Sequence, residues 1–160
     1  MTGFLGVTKK LSEVLQWIAG GALVSIMLLT VADVVLRSFG RPLVGTFELV
    51  ALGGAMVAGF AIPMTSWRRS HVYVDFSIAR FSPKVRAVCN ICTRIMGIVL
   101  FMLIGINLYV YAYDLFCSGE VTLTCQLPFY PIAYGMAASC FVECLVLVAD
   151  IVKIIGGEYE

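Results

Sequence analysis

Charged residues in this chain are grouped, and the intervals between the groups are its most regular feature. Residues 14–32, 49–67, 95–113 and 121–142 carry no formal charge and are rich in Leu, Val, Ile, Ala, Met, Phe and Gly. An α-helix rises about 1.5 Å per residue, so ~20 apolar residues cross the ~30 Å hydrocarbon core of a bilayer. Lipid cannot satisfy open backbone groups, so helix is the expected state of each run. The pattern predicts an all-α membrane protein: a single four-helix transmembrane domain over 1–160, with spans near 14–36, 46–65, 85–113 and 129–155. Pro63 fits near the end of the second span. Ser82-Pro83 has the form of a helix cap followed by proline at the first helical position, and Pro128 and Pro131 suit the start of the fourth span.

Composition strengthens this picture. The chain is 61% hydrophobic and 13% charged, whereas soluble domains run nearer half apolar and a quarter charged. With short connections, no separate soluble domain fits. A net charge of +1 with no basic stripe gives no reason to expect a nucleic-acid partner. Lys9 and Lys10 precede the first apolar run, as in a signal peptide, but such apolar regions are usually ~7–15 residues long. This run is longer and ends in Asp33 and Arg37, which favours a retained first helix.

Charge also predicts orientation. The second connection carries Arg68, Arg69, Arg80, Lys84 and Arg86, whereas the third carries no Lys or Arg. The positive-inside rule places the second connection and both termini in the cytoplasm, with Arg37 and Arg41 as exceptions. Trp17, Trp67, Tyr113 and Tyr130 sit near span ends, as interfacial anchors do.

Six cysteines raise a redox reading: Cys89 and Cys92 as C-x-x-C, Cys140 and Cys144 on one helix face, Cys117 and Cys125 in the external connection. The C-x-x-C pair falls on the reducing side, and cysteine within helices generally acts as a small apolar filler. A Cys117–Cys125 disulfide is an option if the external side is oxidising. His71 is the single histidine, with only Asp75 nearby. It is expected to anchor the cytoplasmic connection rather than bind metal, which takes several ligands.

Asp33 and Arg37 are spaced to pair along the first span, and Glu48 stands where an acid favours a helix N-terminus. With Arg41 they form a mixed-charge group at the outer boundary, either solvated there or acting as a polar lock that fixes how spans one and two enter the membrane or how a partner docks. Glu143 and Arg94 intrude into the inner half of the fourth and third spans. Intramembrane charges are costly and usually pair, so Glu143 is expected to pair with Arg94 or with a cation on a partner. Ala51, Ala55 and Gly59 recur at four-residue spacing, which lets helices approach closely. Asn107 is the other polar residue deep in a span. No metal, cofactor or catalytic constellation is legible, and these features favour an accessory or scaffold subunit.

Three segments together resemble a known family. They are Asp33-Val-Val-Leu-Arg37 through Arg41-Pro42-Leu43 to Glu48-Leu49; Arg69-Ser-His71-Val72-Tyr-Val74-Asp75; and Gly119-Glu-Val-Thr122 through Leu127-Pro128 to Tyr134-Gly135. In register with the four spans, they resemble the small permease subunit of tripartite ATP-independent periplasmic (TRAP) transporters, the DctQ-like family. The resemblance implies a multi-pass protein of the bacterial inner membrane, bound to a large DctM-like permease subunit that carries substrate and sodium. A DctP-like periplasmic binding protein would deliver an organic acid for sodium-driven symport. It also implies that Asp33, Arg37, Arg41 and Glu48 order the periplasmic face, and His71 and Asp75 the cytoplasmic connection. Two other classes compete: a four-helix membrane enzyme of thiol oxidoreductase or glutathione transferase type, and a small proton-coupled multidrug exporter using Glu143.

Overall fold

A computed structural model describes residues 2–68 and 83–155. The described residues form four helices: α1 (Thr2–Ser38), α2 (Thr46–Trp67), α3 (Pro83–Ser118) and α4 (Tyr130–Ile155). All four are long and apolar enough to cross a membrane. They match the four expected spans, but α1 starts twelve residues before position 14, and α3 runs past 113 to Ser118. A span is limited by the bilayer, whereas a helix continues until a breaker stops it. Gly40 and Gly119, both at positive φ, follow the ends of α1 and α3.

Pro63 lies inside α2, one turn before its end, and is buried. Pro83 opens α3, as the sequence predicts, while Ser82 lies outside the described residues. Pro131 is the second residue of α4.

The helix register follows from side-chain contacts. Gly53 of α2 faces Ile26 of α1, and the short 39–45 connection makes these helices an antiparallel hairpin. Gly97 faces Leu147, Gly105 faces Cys140, and Tyr109 and Phe116 make edge-to-face contacts with Tyr134 and Tyr130. Residue numbers rise along α3 as they fall along α4, so that pair is antiparallel too. Helix α2 meets α4 in parallel: Gly59 against Met136, Phe60 against Gly135, Ser66 against Glu143.

Helix α4 packs on all three others. It buries 56% of its most apolar window inside the bundle, against 11% for α1, 17% for α2 and 11% for α3. It is therefore the axial element, and the others present large apolar faces outward. Close approach to α4 depends on missing side chains. A β-carbon at Gly135 would lie 2.8 Å from Phe60 Cζ, and one at Gly59 3.1 Å from Met136 Cγ. Ser139 Oγ uses that proximity to donate to the Gly59 carbonyl at 2.6 Å. At one end of the bundle, Ala112, Leu115 and Ala133 form a small buried cluster under Phe129, Tyr130 and Tyr134.

This packing makes a graded prediction. Gly135→Leu should lower stability by about 1–3 kcal/mol, the usual range for overpacking a filled core. Gly54→Leu, where no atom lies within 4 Å of the added β-carbon, should be tolerated. Thermal unfolding of the two variants in detergent measures the difference.

Candidate functional site

Polar side chains collect at two levels. The first is toward the end of the bundle that carries both termini. Glu143 and Asp150 are seven residues apart on α4, two helical turns, so both project from one face. Glu143 is 1% exposed and Asp150 fully buried. Ser66 Oγ of α2 donates to Glu143 Oε1 at 2.6 Å. Arg94 Nη2 of α3 lies 3.3 Å from Asp150 Oδ2.

This corrects the expected Arg94–Glu143 pair. The antiparallel register that sets Gly97 opposite Leu147 sets Arg94, a turn earlier, opposite Asp150, nearly a turn later. Glu143 lies two turns away and is turned toward α2. Depth counted from span ends placed Arg94 and Glu143 close, but could not resolve a shift of two turns. Asp150 was missed as a site residue because it stands near the end of its span, where a solvated charge is ordinary. Its spacing from Glu143 was the available signal.

The second level is the opposite end. Asp33 is 6% exposed. Its Oδ2 accepts from Arg37 Nη2 at 2.8 Å, and its Oδ1 accepts from the Leu43 amide at 3.0 Å. One carboxylate thus ties the last turns of α1 to the chain entering α2. Glu48, in the first turn of α2, reaches the α3–α4 connection. Its Oε1 accepts from the Thr124 amide at 2.9 Å and from Thr124 Oγ1 at 2.7 Å, and its Oε2 accepts from the Cys125 amide at 3.1 Å. That connection is itself a compact turn. The Thr122 amide donates to the Leu127 carbonyl and Thr122 Oγ1 accepts from the Leu127 amide, at 2.9 and 3.0 Å. Gly45 precedes α2 at φ 85°, a left-handed conformation that glycine adopts without strain, and its α-carbon packs against Cys125 Sγ.

These anchored connections lie in the segment that a family model recognises. The model for tripartite ATP-independent periplasmic transporters, DctQ component, matches residues 26–157, which takes in the end of α1 and all of α2, α3 and α4. The chain belongs to the DctQ family. No curated protein was found to match it. DctQ proteins are the small permease component of TRAP transporters, so this family is a transporter component rather than an enzyme family.

Within this DctQ fold, the outer charged group divides in two. Asp33 and Arg37 serve the α1–α2 turn, Glu48 serves the α3–α4 connection, and the Arg41 side chain is exposed. On α2, Gly59 is buried against α4, Ala55 is half-buried and Ala51 is exposed. All six cysteines are free thiols. Cys117 and Cys125 are unbonded in this structure: the Cys125 sulfur lies beside Gly45, and Cys117 is exposed on α3. Cys140 and Cys144 are buried, and Cys144 Sγ lies 3.7 Å from the Ile98 carbonyl at the α3–α4 contact. His71 and Asp75 lie outside the described residues. Thr124 was missed because a hydroxyl this common carries no sequence signal of a distant partner.

Two outcomes follow for this DctQ chain. Removing one member of a buried ion pair costs about 3–5 kcal/mol, whereas replacing both by apolar groups costs far less. Arg94→Leu or Asp150→Leu alone should therefore sharply reduce folded yield and melting temperature, and the double replacement should recover most of the loss. The exchange of Arg94→Glu with Glu143→Arg should rescue nothing. Separately, Glu48→Ala should release the α3–α4 connection, so maleimide labelling of Cys125 should speed up several-fold relative to that of Cys117.

Proposed function

We propose that this chain is the non-catalytic scaffold subunit of a sodium-driven, binding-protein-dependent importer of an organic acid, a carboxylate or a sulfonate. The family match over residues 26–157 carries the reading. The disposition of polar groups supports it. Arg94 is engaged by Asp150, Glu143 by Ser66, Asp33 by the α1–α2 turn, and Glu48 by the α3–α4 connection. These side chains hold helices and turns together. A large DctM-like permease subunit would bind sodium and substrate, and a DctP-like soluble protein would deliver the substrate from the periplasm. The uneven distribution of Lys and Arg supports an inner-membrane orientation with both termini cytoplasmic. The Asp33 and Glu48 turns would then face the periplasm, where the binding protein arrives.

Reconstitution tests this assignment. Proteoliposomes holding the large subunit, with binding protein outside and an imposed sodium gradient, should take up substrate only when this chain is also present. The chain alone should transport nothing, and a variant with all six cysteines replaced by alanine should support uptake at near wild-type rate. Uptake by the large subunit at full rate without this chain, or transport by this chain alone, would overturn the assignment. Loss of uptake in the cysteine-free variant with folding intact would revive a thiol-based activity.

A further inference from the structure

Helix α3 carries one polar side chain that the bundle does not use. Asn107 lies seven residues before Asp114, so about 10 Å deeper along the helix axis than that boundary charge. It is exposed, and its Nδ2 donates to the Leu103 carbonyl at 2.8 Å. Among the described residues its Oδ1 acceptor has no partner. The exposed serine and threonine hydroxyls of α1, by contrast, are satisfied within their own helix, as Ser25 is by the Gly21 carbonyl and Thr30 by the Ile26 carbonyl. An amide has one acceptor and two donors, and one intrahelical bond leaves it incomplete. Hydrocarbon supplies nothing to complete it, at a cost of a few kcal/mol.

Asn107 also points away from this chain's own helices. Gly105 faces Cys140 of α4, and two residues turn the helix by about 200°. On that outer face Met96, Leu100, Leu103, Asn107, Val110 and Asp114 follow one another at spacings of four and three residues, and all six are exposed. That alternation is the seam of a left-handed helix pair, in which a single buried amide fixes register. Beside Leu103, Asn107 and Tyr111 the surface opens into a groove of about 430 Å³.

Charge decides between occupants. A second copy inserted in the same orientation would set Asn107 against Asn107, which is tolerable, but also Asp114 against Asp114 at the membrane boundary, which is repulsive. A different helix avoids the conflict. Building on the subunit role proposed above, we infer that this stripe of α3 seats a transmembrane helix of the large permease subunit. That helix carries a hydrogen-bond donor level with Asn107 and a basic side chain level with Asp114.

The test uses the complex co-expressed in membranes. A photo-reactive residue at Leu103 or Val110 should cross-link to the large subunit. Asn107→Leu should weaken retention of the large subunit during detergent purification roughly three- to thirty-fold, the range for one interhelical hydrogen bond in a membrane. The same variant should leave the melting temperature of the isolated chain unchanged, because among the described residues the Asn107 side chain bonds only within α3. Asp114→Lys should weaken retention more than Asp114→Asn. Cross-links to a second copy of this chain overturn the proposal. So do cross-links to lipid alone while probes at Val24 or Leu28 of α1 capture the large subunit, an outcome that leaves the subunit role standing. If the wild-type chain retains no large subunit at all, the subunit role fails and this seat fails with it.

Discussion

The bundle depends on one requirement: α4 must be enclosed. It packs on each of the other three, and it carries two carboxylates that lipid would not accept. Ionised side chains within a bilayer are stable only where protein supplies the counter-charge and hydrogen bonds. Arg94 from α3 meets one acid and Ser66 from α2 meets the other. The polar groups therefore select which helices stand beside α4, and at what register. Small residues then set the distance, since the backbones close in at Gly59, Gly135 and Gly105, where no side chain separates the helices. Apolar packing supplies the cohesion, but in lipid it has no preference between correct and shifted neighbours of similar shape. The acids provide that preference.

The opposite end works by a different rule. Asp33 and Glu48 bind backbone amides rather than opposing charges within another helix. A carboxylate has two oxygens and accepts from several donors, which suits a turn whose amides lack partners. Both turns are thereby fixed to helix ends, and the surface at this end has a defined shape. That rigidity lowers the ordering cost of any contact made there.

How much of this was legible in the sequence depended on range. Four charge-free runs, each about as long as a bilayer is thick, located the helices, because the membrane imposes that length on any chain. Pro83 and Glu48 marked helix starts because their effects are local. The Asp33–Arg37 pair was legible for the same reason. Partners across helices were not. Arg94 and Glu143 stood out as intruding charges, yet choosing Asp150 over Glu143 required the α3–α4 register, which one sequence does not contain. The small-residue stripe showed the same limit: Gly59 is buried against α4, whereas Ala51 is exposed. The outer charged group was seen as one unit, but the fold separates it, because Glu48 reaches a connection more than seventy residues away.

The parallel pairing of α2 with α4 has a consequence for how the protein is made. Parallel neighbours cannot be joined by a short turn, so the chain must cross the membrane once more between them, and α3 is that crossing. The helix around which the others gather is therefore synthesised last. Until it emerges, Glu143 and Asp150 are absent from the membrane, so neither Ser66 nor Arg94 has yet set its register against α4. The order of the whole bundle is therefore decided at the last of these four crossings.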